Sequence, residues 1–95
     1  MLIETNYKSG DIVSLKLINS DELIARFQSE NDSEIELERP LSVAITPQGL
    51  GMMPWMFLGA KETVTLKKNH IFVIMPAKKD AANQYLQGTT SIALR

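Results

Sequence analysis

From Gly10 onward the chain alternates apolar and polar positions in short runs separated by polar turns. Gly10 to Leu17 places Val13, Leu15 and Leu17 on one face and Ser14 and Lys16 on the other, the period-two pattern of a half-buried strand. Leu23, Ala25 and Phe27 alternate in the same way with Ile24, Arg26 and Gln28, and the turn Asn19-Ser20-Asp21 between the two runs predicts a hairpin. A second polar turn, Ser29 to Ser33, leads into Ile35 and Leu37. The alternation then resumes at Leu41, Val43 and Ile45 beyond Arg39-Pro40. Proline cannot donate to a ladder, so Pro40 predicts a bend or an edge position within one long strand.

The next segment, Pro47 to Pro54, holds two glycines and two prolines and reads as a loop. Trp55 to Leu58, Gly59 to Glu62 and Val64 to Leu66 then predict another long strand with a glycine-permitted bend. Ile71 to Met75 is the fifth strand, stopped by Pro76. Beyond it the period changes. Lys78 to Gln87 lacks β-branched residues, and Ala81, Ala82, Tyr85 and Leu86 share one helical face, with Gly88 placed as a C-terminal stop. The tail from Thr89 to Arg95 either adds an edge strand or hangs loose. The expectation is mainly β: one domain over residues 1–95, with five antiparallel strands in a small barrel over 10–76 and a short helix and tail over 77–95.

Ninety-five residues leave room for one modest core. The 44% hydrophobic and 22% charged fractions are those of an ordinary globular protein, so no unusual class is indicated. No apolar run approaches the roughly 18 residues that cross a bilayer, and the N-terminus lacks the basic start and apolar core of an export signal. A cytoplasmic setting without membrane contact is the expectation. The absence of cysteine removes disulfides, thiolate zinc sites and a cysteine nucleophile together. A net charge of −1 means that any nucleic-acid contact must come from a local cluster.

The segment with most chemical character is Lys67 to Pro76, KKNHIFVIMP. A basic pair and an Asn-His step run directly into an apolar strand, so the polar residues sit in a turn anchored by that strand. Its histidine is the only one in the chain, which leaves no set of imidazoles for a metal. Met52, Met53, Trp55, Met56 and Phe57 form a second unusual group. They suit a core or a subunit interface, where Met fills gaps and Trp anchors contacts, and alternatively a stacking platform for bases. Glu34, Glu36 and Glu38 line the outer face of the third strand as a solvated acidic surface. Ser14, Thr63, Asp11 and His70 suggest no nucleophile-base-acid set, and Gly49-Leu50-Gly51 lacks the lysine and helix of a phosphate loop. No enzyme, cofactor or metal is expected.

Two stretches resemble the paired motifs of the Sm-like (LSM/Hfq-type) family. Leu17-Ile18-Asn19-Ser20-Asp21-Glu22-Leu23-Ile24-Ala25-Arg26-Phe27 is similar to the first motif, in which an apolar residue precedes an Asp/Asn-Gly turn and a small residue lies in the bent second strand. Val64 to Pro76 is similar to the second, in which an apolar strand ends in a basic residue and glycine and an I-x-x-I-x-P strand follows. The resemblance covers about Gly10 to Pro76, and divergent members from large tailed phages are the nearest relatives expected. It implies an Sm-like bent five-stranded barrel of the SH3-like kind. It also implies a homo-oligomeric ring in which the fourth strand of one subunit pairs with the fifth of the next. For a phage-encoded chain the setting would be the host cytoplasm.

The ring implied by the resemblance places Lys67, Lys68, Asn69 and His70 around a central opening, with Asn31 and Asp32 of the other turn as weaker contributors. Repeated around the ring, the lysines would form a positive collar for single-stranded RNA, with RNA regulation or chaperoning as the outcome. Trp55, Met56, Phe57, Ile71 and Val73 are the expected subunit interface. Ser20 and Ala25 stand where the family usually has glycine, and Lys68 replaces the glycine after the basic residue. The turn Glu30-Asn31-Asp32-Ser33-Glu34 lacks the aromatic or histidine that stacks on uracil in the family, and its carboxylates repel phosphate. These departures define the alternative: a ring that serves as a protein-interaction scaffold and has lost the RNA pocket.

Overall fold

The computed structural model describes residues 7–93, with the backbone alone described from Thr90 onward. The expectations for residues 1–6, and for Leu94 and Arg95 at the end of the tail, lie outside the described residues. Six strands and one helix follow in order: β1 (Ile12–Leu17), β2 (Glu22–Glu30), β3 (Glu34–Thr46), β4 (Gly49–Pro54), β5 (Thr63–Lys67), β6 (Ile71–Pro76) and α1 (Lys79–Ala93). A 3-10 turn, Lys68–His70, joins β5 to β6. The strands form one antiparallel sheet in the order β4-β3-β2-β1-β6, with β5 also paired to β3. The domain is therefore mainly β with one C-terminal helix.

The alternation read from the sequence makes the core. Val13, Leu15 and Leu17 of β1, Leu23, Ala25 and Phe27 of β2, and Ile35 and Leu37 of β3 are buried together with Ile71. Tyr7 packs edge-on against Phe27 at 4.8 Å between ring centroids. Trp55, Leu66 and Ile74 close this cluster from its rim.

The bend expected at Pro40 is a β-bulge. Ile24 pairs with Leu41 and Arg26 with Glu38, so Arg39 and Pro40 together face Ala25 alone. Arg39 takes a positive φ of 50° to make the extra residue fit. At this point β3 also changes partners on its other edge. Its first half, Glu34 to Glu38, pairs with β5 and its second half, Leu41 to Thr46, pairs with β4. β4 and β5 thus lie end to end along one edge of β3, separated by residues 55–62.

Two expectations are corrected here. There are six strands rather than five, because Pro47 to Pro54 is mostly strand, and Trp55 to Glu62 leaves the sheet instead of continuing it. The reason is a tight turn at Pro47-Gln48. Gly49 adopts φ +117°, Thr46 Oγ1 donates to the Gly49 carbonyl at 2.8 Å, and Leu50 and Met52 fall opposite Ile45 and Val43. The helix also runs through Gly88 to Ala93 rather than stopping, so the tail residues Thr89 to Ala93 are helical. Thr89 explains the extension: it is buried, and its hydroxyl donates to the Tyr85 carbonyl one turn back, at 2.9 Å.

The helix is fastened to the bulge. The Tyr85 hydroxyl lies 2.8 Å from the Glu38 carbonyl and 3.1 Å from that of Arg39. Arg39 Nη1 donates to the Thr89 carbonyl at 3.1 Å, while Nη2 sits 3.0 Å from Glu62. The free backbone groups of the bulge find partners too, since Trp55 N–H donates to Pro40 and Arg39 N–H to Glu62. No helix among the described residues is long and apolar enough to cross a membrane.

Candidate functional site

Three turns meet at one end of the sheet, and they carry the basic residues singled out in the sequence. The Lys68 N–H donates to the Ser33 carbonyl at 2.8 Å, joining the β5–β6 turn to the β2–β3 turn. The Ile18 N–H donates to the His70 carbonyl at 3.0 Å, joining the same segment to the β1–β2 turn. Lys67, Lys68, Asn69 and His70 are thereby brought beside Asn31 and Asp32 although they lie more than thirty positions apart.

Each turn has a local cause. In the β2–β3 turn the Asn31 side-chain oxygen accepts from the N–H groups of Ser33 and Glu34 at 2.9 and 2.8 Å. Asn31 is thus occupied in shaping its own turn, as asparagine commonly is. Asp32 is exposed at the tip. In the β1–β2 turn Ser20 takes φ 79°, the left-handed conformation that glycine would adopt more cheaply. Asn19 accepts from the Asp21 N–H, and Trp55 Nε1 donates to the Asp21 carboxylate at 3.3 Å.

The electrostatics of the cluster are set by ion pairs between the turns. Lys68 Nζ lies 2.6 Å from Glu30 Oε1, with the two side chains only 19% and 22% exposed. Lys67 faces Glu34 across the β3–β5 ladder, but at 3.8 Å and in the open, where screening leaves such a pair weak. Burial first, and then the Glu30 carboxylate beside it, raises the Tyr7 phenol above its ordinary value of 10.0. Glu30 therefore sits among a lysine, a tyrosine and the core edge. Next to it is a shallow cleft of about 180 Å³ lined by Glu30, Glu34, Glu36, Asn31, Ser29 and Thr65. Two lysines are set against Glu30, Asp32, Glu34 and Glu36, so the local balance is acidic.

Asn69 and His70 are exposed and available at the turn surface, as is most of Lys67. The expected interface residues divide. Ile71 is buried in the core and Trp55 is partly buried against it. Val73, Met56 and Phe57 are exposed, together with Phe72 and Met75 on β6 and Leu58 beside Phe57. Among the described residues, no three His, Asp or Glu side chains converge in the manner of a metal site.

Sequence reasoning missed the Arg39-Glu62-Tyr85-Thr89 cluster, whose members are scattered along the chain and meet only because the helix docks on the bulge. It also missed the partner of Lys68. The nearest signal in the sequence is the acidic turn Glu30 to Glu34, whose carboxylates repel phosphate and also pair with the two lysines. No family model matches the chain, and no curated protein matches it.

Proposed function

We propose that this chain is a subunit of an Sm-like homo-oligomeric ring that works as a protein-interaction scaffold, without catalysis. The observation that carries the choice of scaffold over RNA binder is the Lys68–Glu30 pair: at 2.6 Å and four-fifths buried, it takes the central charge of the basic turn out of play. The acidic cleft beside it disfavours a phosphate backbone further. The reading as an Sm-like barrel draws support from the end-to-end placement of β4 and β5 on β3, which makes the two of them equivalent to one interrupted fourth strand. β6 then takes the place of the fifth strand. The ring draws support from the sheet edges. Among the described residues β5 pairs only with β3 and β6 only with β1, and β6 exposes Phe72, Val73 and Met75. An apolar strand with an open edge invites pairing with another copy.

A second reading, a ring that binds single-stranded RNA, is favoured by the exposure of Lys67, Asn69 and His70 at the same turn. Light scattering combined with titration of labelled oligo-U and oligo-A at two salt concentrations separates the two. The scaffold reading expects a mass several times that of one chain and no tight, salt-steep binding. Strong binding that weakens steeply with salt and disappears in a Lys67→Ala/Lys68→Ala variant would replace it with the RNA reading. A monomer at all concentrations would remove the ring from both.

A further inference from the structure

We propose that α1 is an edge guard: docked, it closes the outer edge of β4 to strand addition, and undocked, it opens that edge to a strand of a second copy of this chain. The inference goes beyond the ring reading, which concerns β5 and β6, and it stands whether or not the ring forms.

Hydrogen bonding defines the edge. β4 ends the sheet and pairs only with β3 among the described residues. The N–H of Trp55, one residue past β4, donates to the Pro40 carbonyl of β3 at 3.0 Å. Backbone groups alternate in direction along an antiparallel strand, so the odd-numbered residues of β4 turn theirs toward β3. Those of Leu50, Met52 and Pro54 point away from it. An unpaired row of this kind is a template for another strand.

Two features interrupt the row. Pro54 has no N–H to offer, and it sits at the kind of edge position where a strand tolerates proline. At the other end, the Gln84 side-chain amide of α1 donates to the Leu50 carbonyl at 2.8 Å. An incoming strand needs that carbonyl and the space that Gln84 occupies. The half-buried Leu50 and Met52 also line a cleft of about 470 Å³ together with Ala81 near the start of the helix.

The guard is separable from the core. The main core cluster contains no residue of α1. Tyr85 and Thr89 are the buried side chains of the helix, and Ala81, Ala82 and Leu86 are only half-buried. The rest of its hold on the sheet is polar: the Tyr85 hydroxyl on the Glu38 and Arg39 carbonyls, Arg39 on the Thr89 carbonyl, and Gln84 on Leu50. An element fixed by few buried side chains opens at lower free energy than the core beneath it.

Full-length variants test the guard by light scattering over a range of concentrations, each compared with whatever mass the native chain shows. Gln84→Ala/Tyr85→Phe removes the three hydrogen bonds that these side chains make to the sheet. Gln84→Pro breaks the helix and removes the cap together. Hydrogen exchange is expected to show the α1 amides released while those of β1 and β2 stay protected. Both variants should then reach at least about twice the native mass, through the opened edge. Adding Met52→Pro, which deletes an outward N–H of β4, should restore the native mass. A released helix with unchanged mass overturns the guard. So does growth that Met52→Pro leaves unaltered, because association would then use another surface. Joint loss of protection in α1, β1 and β2 overturns it as well, because the helix would then be part of the core.

Discussion

Ser20 shows what a single residue contributes and what it costs. It occupies a left-handed conformation, φ 79°, at the tip of the first hairpin, where its N–H donates to the Leu17 carbonyl. A side chain in that region is strained by roughly 1 kcal/mol relative to glycine. Ser20→Gly is therefore expected to raise unfolding stability by about 0.5–1 kcal/mol, read from the midpoint of a urea titration with an unchanged slope. Loss of stability would mean that the hydroxyl makes a contact worth more than the strain. The position of the turn was legible from Asn19-Ser20-Asp21. Its backbone geometry was not, because serine is a common turn residue at positions of negative φ as well. Lys68 presents the converse case. Its charge was plain in the sequence, but its availability depended on Glu30, thirty-eight positions away, and only the folded chain places the two carboxylate and ammonium groups 2.6 Å apart.

Among the elements, the strands whose side chains alternate were legible because one face of each is buried in a common core. The third and fourth strands depended on something else. Residues 49–54 hold glycine and proline, which argue for a loop when considered locally, yet the hairpin geometry at Thr46-Pro47-Gln48-Gly49 and the pairing with Leu41 to Thr46 make them a strand. The helix offers the opposite lesson. Gly88 reads as a stop, but Thr89 is held by Tyr85 and by Arg39, and the helix continues past the glycine. Gly88 is exposed, and a Cβ placed on it meets nothing within 4 Å. Gly88→Ala should accordingly stabilise the domain by about 0.5–1 kcal/mol, seen as a higher thermal midpoint together with greater helical ellipticity. If the variant unfolds at a lower temperature, Gly88 is ending the helix after all.

At the scale of the molecule, the sheet and the helix are joined through Tyr85, and this joint predicts the alkaline limit of the fold. Burial pushes the Tyr85 phenol up from 10.0 to about 12, while in the unfolded chain it titrates near its ordinary value. Between pH 10 and 12 the unfolded state thus holds fewer protons than the folded one, and stability falls as pH rises. Its contribution, on the order of 2 kcal/mol, is fully present below pH 10 and lost by about pH 12. Unfolding midpoints measured from pH 8 to 12 should drop steeply above 10, and the drop should be shallower in Tyr85→Phe, which has no proton to lose. Equal slopes in the two proteins would mean that the phenol is not held by the bulge. This joint, the bulge and both ends of the 55–62 loop all converge on Arg39-Pro40, the place where β3 changes neighbours. The sequence by itself determined the alternating strands, the polar turns, the presence of a helix after Pro76 and the residue types available at each, because these follow from local periodicity and backbone chemistry. Only the tertiary structure decided which strand halves pair, which lysine meets which carboxylate and which apolar residues stay outside, because those depend on contacts between residues far apart along the chain.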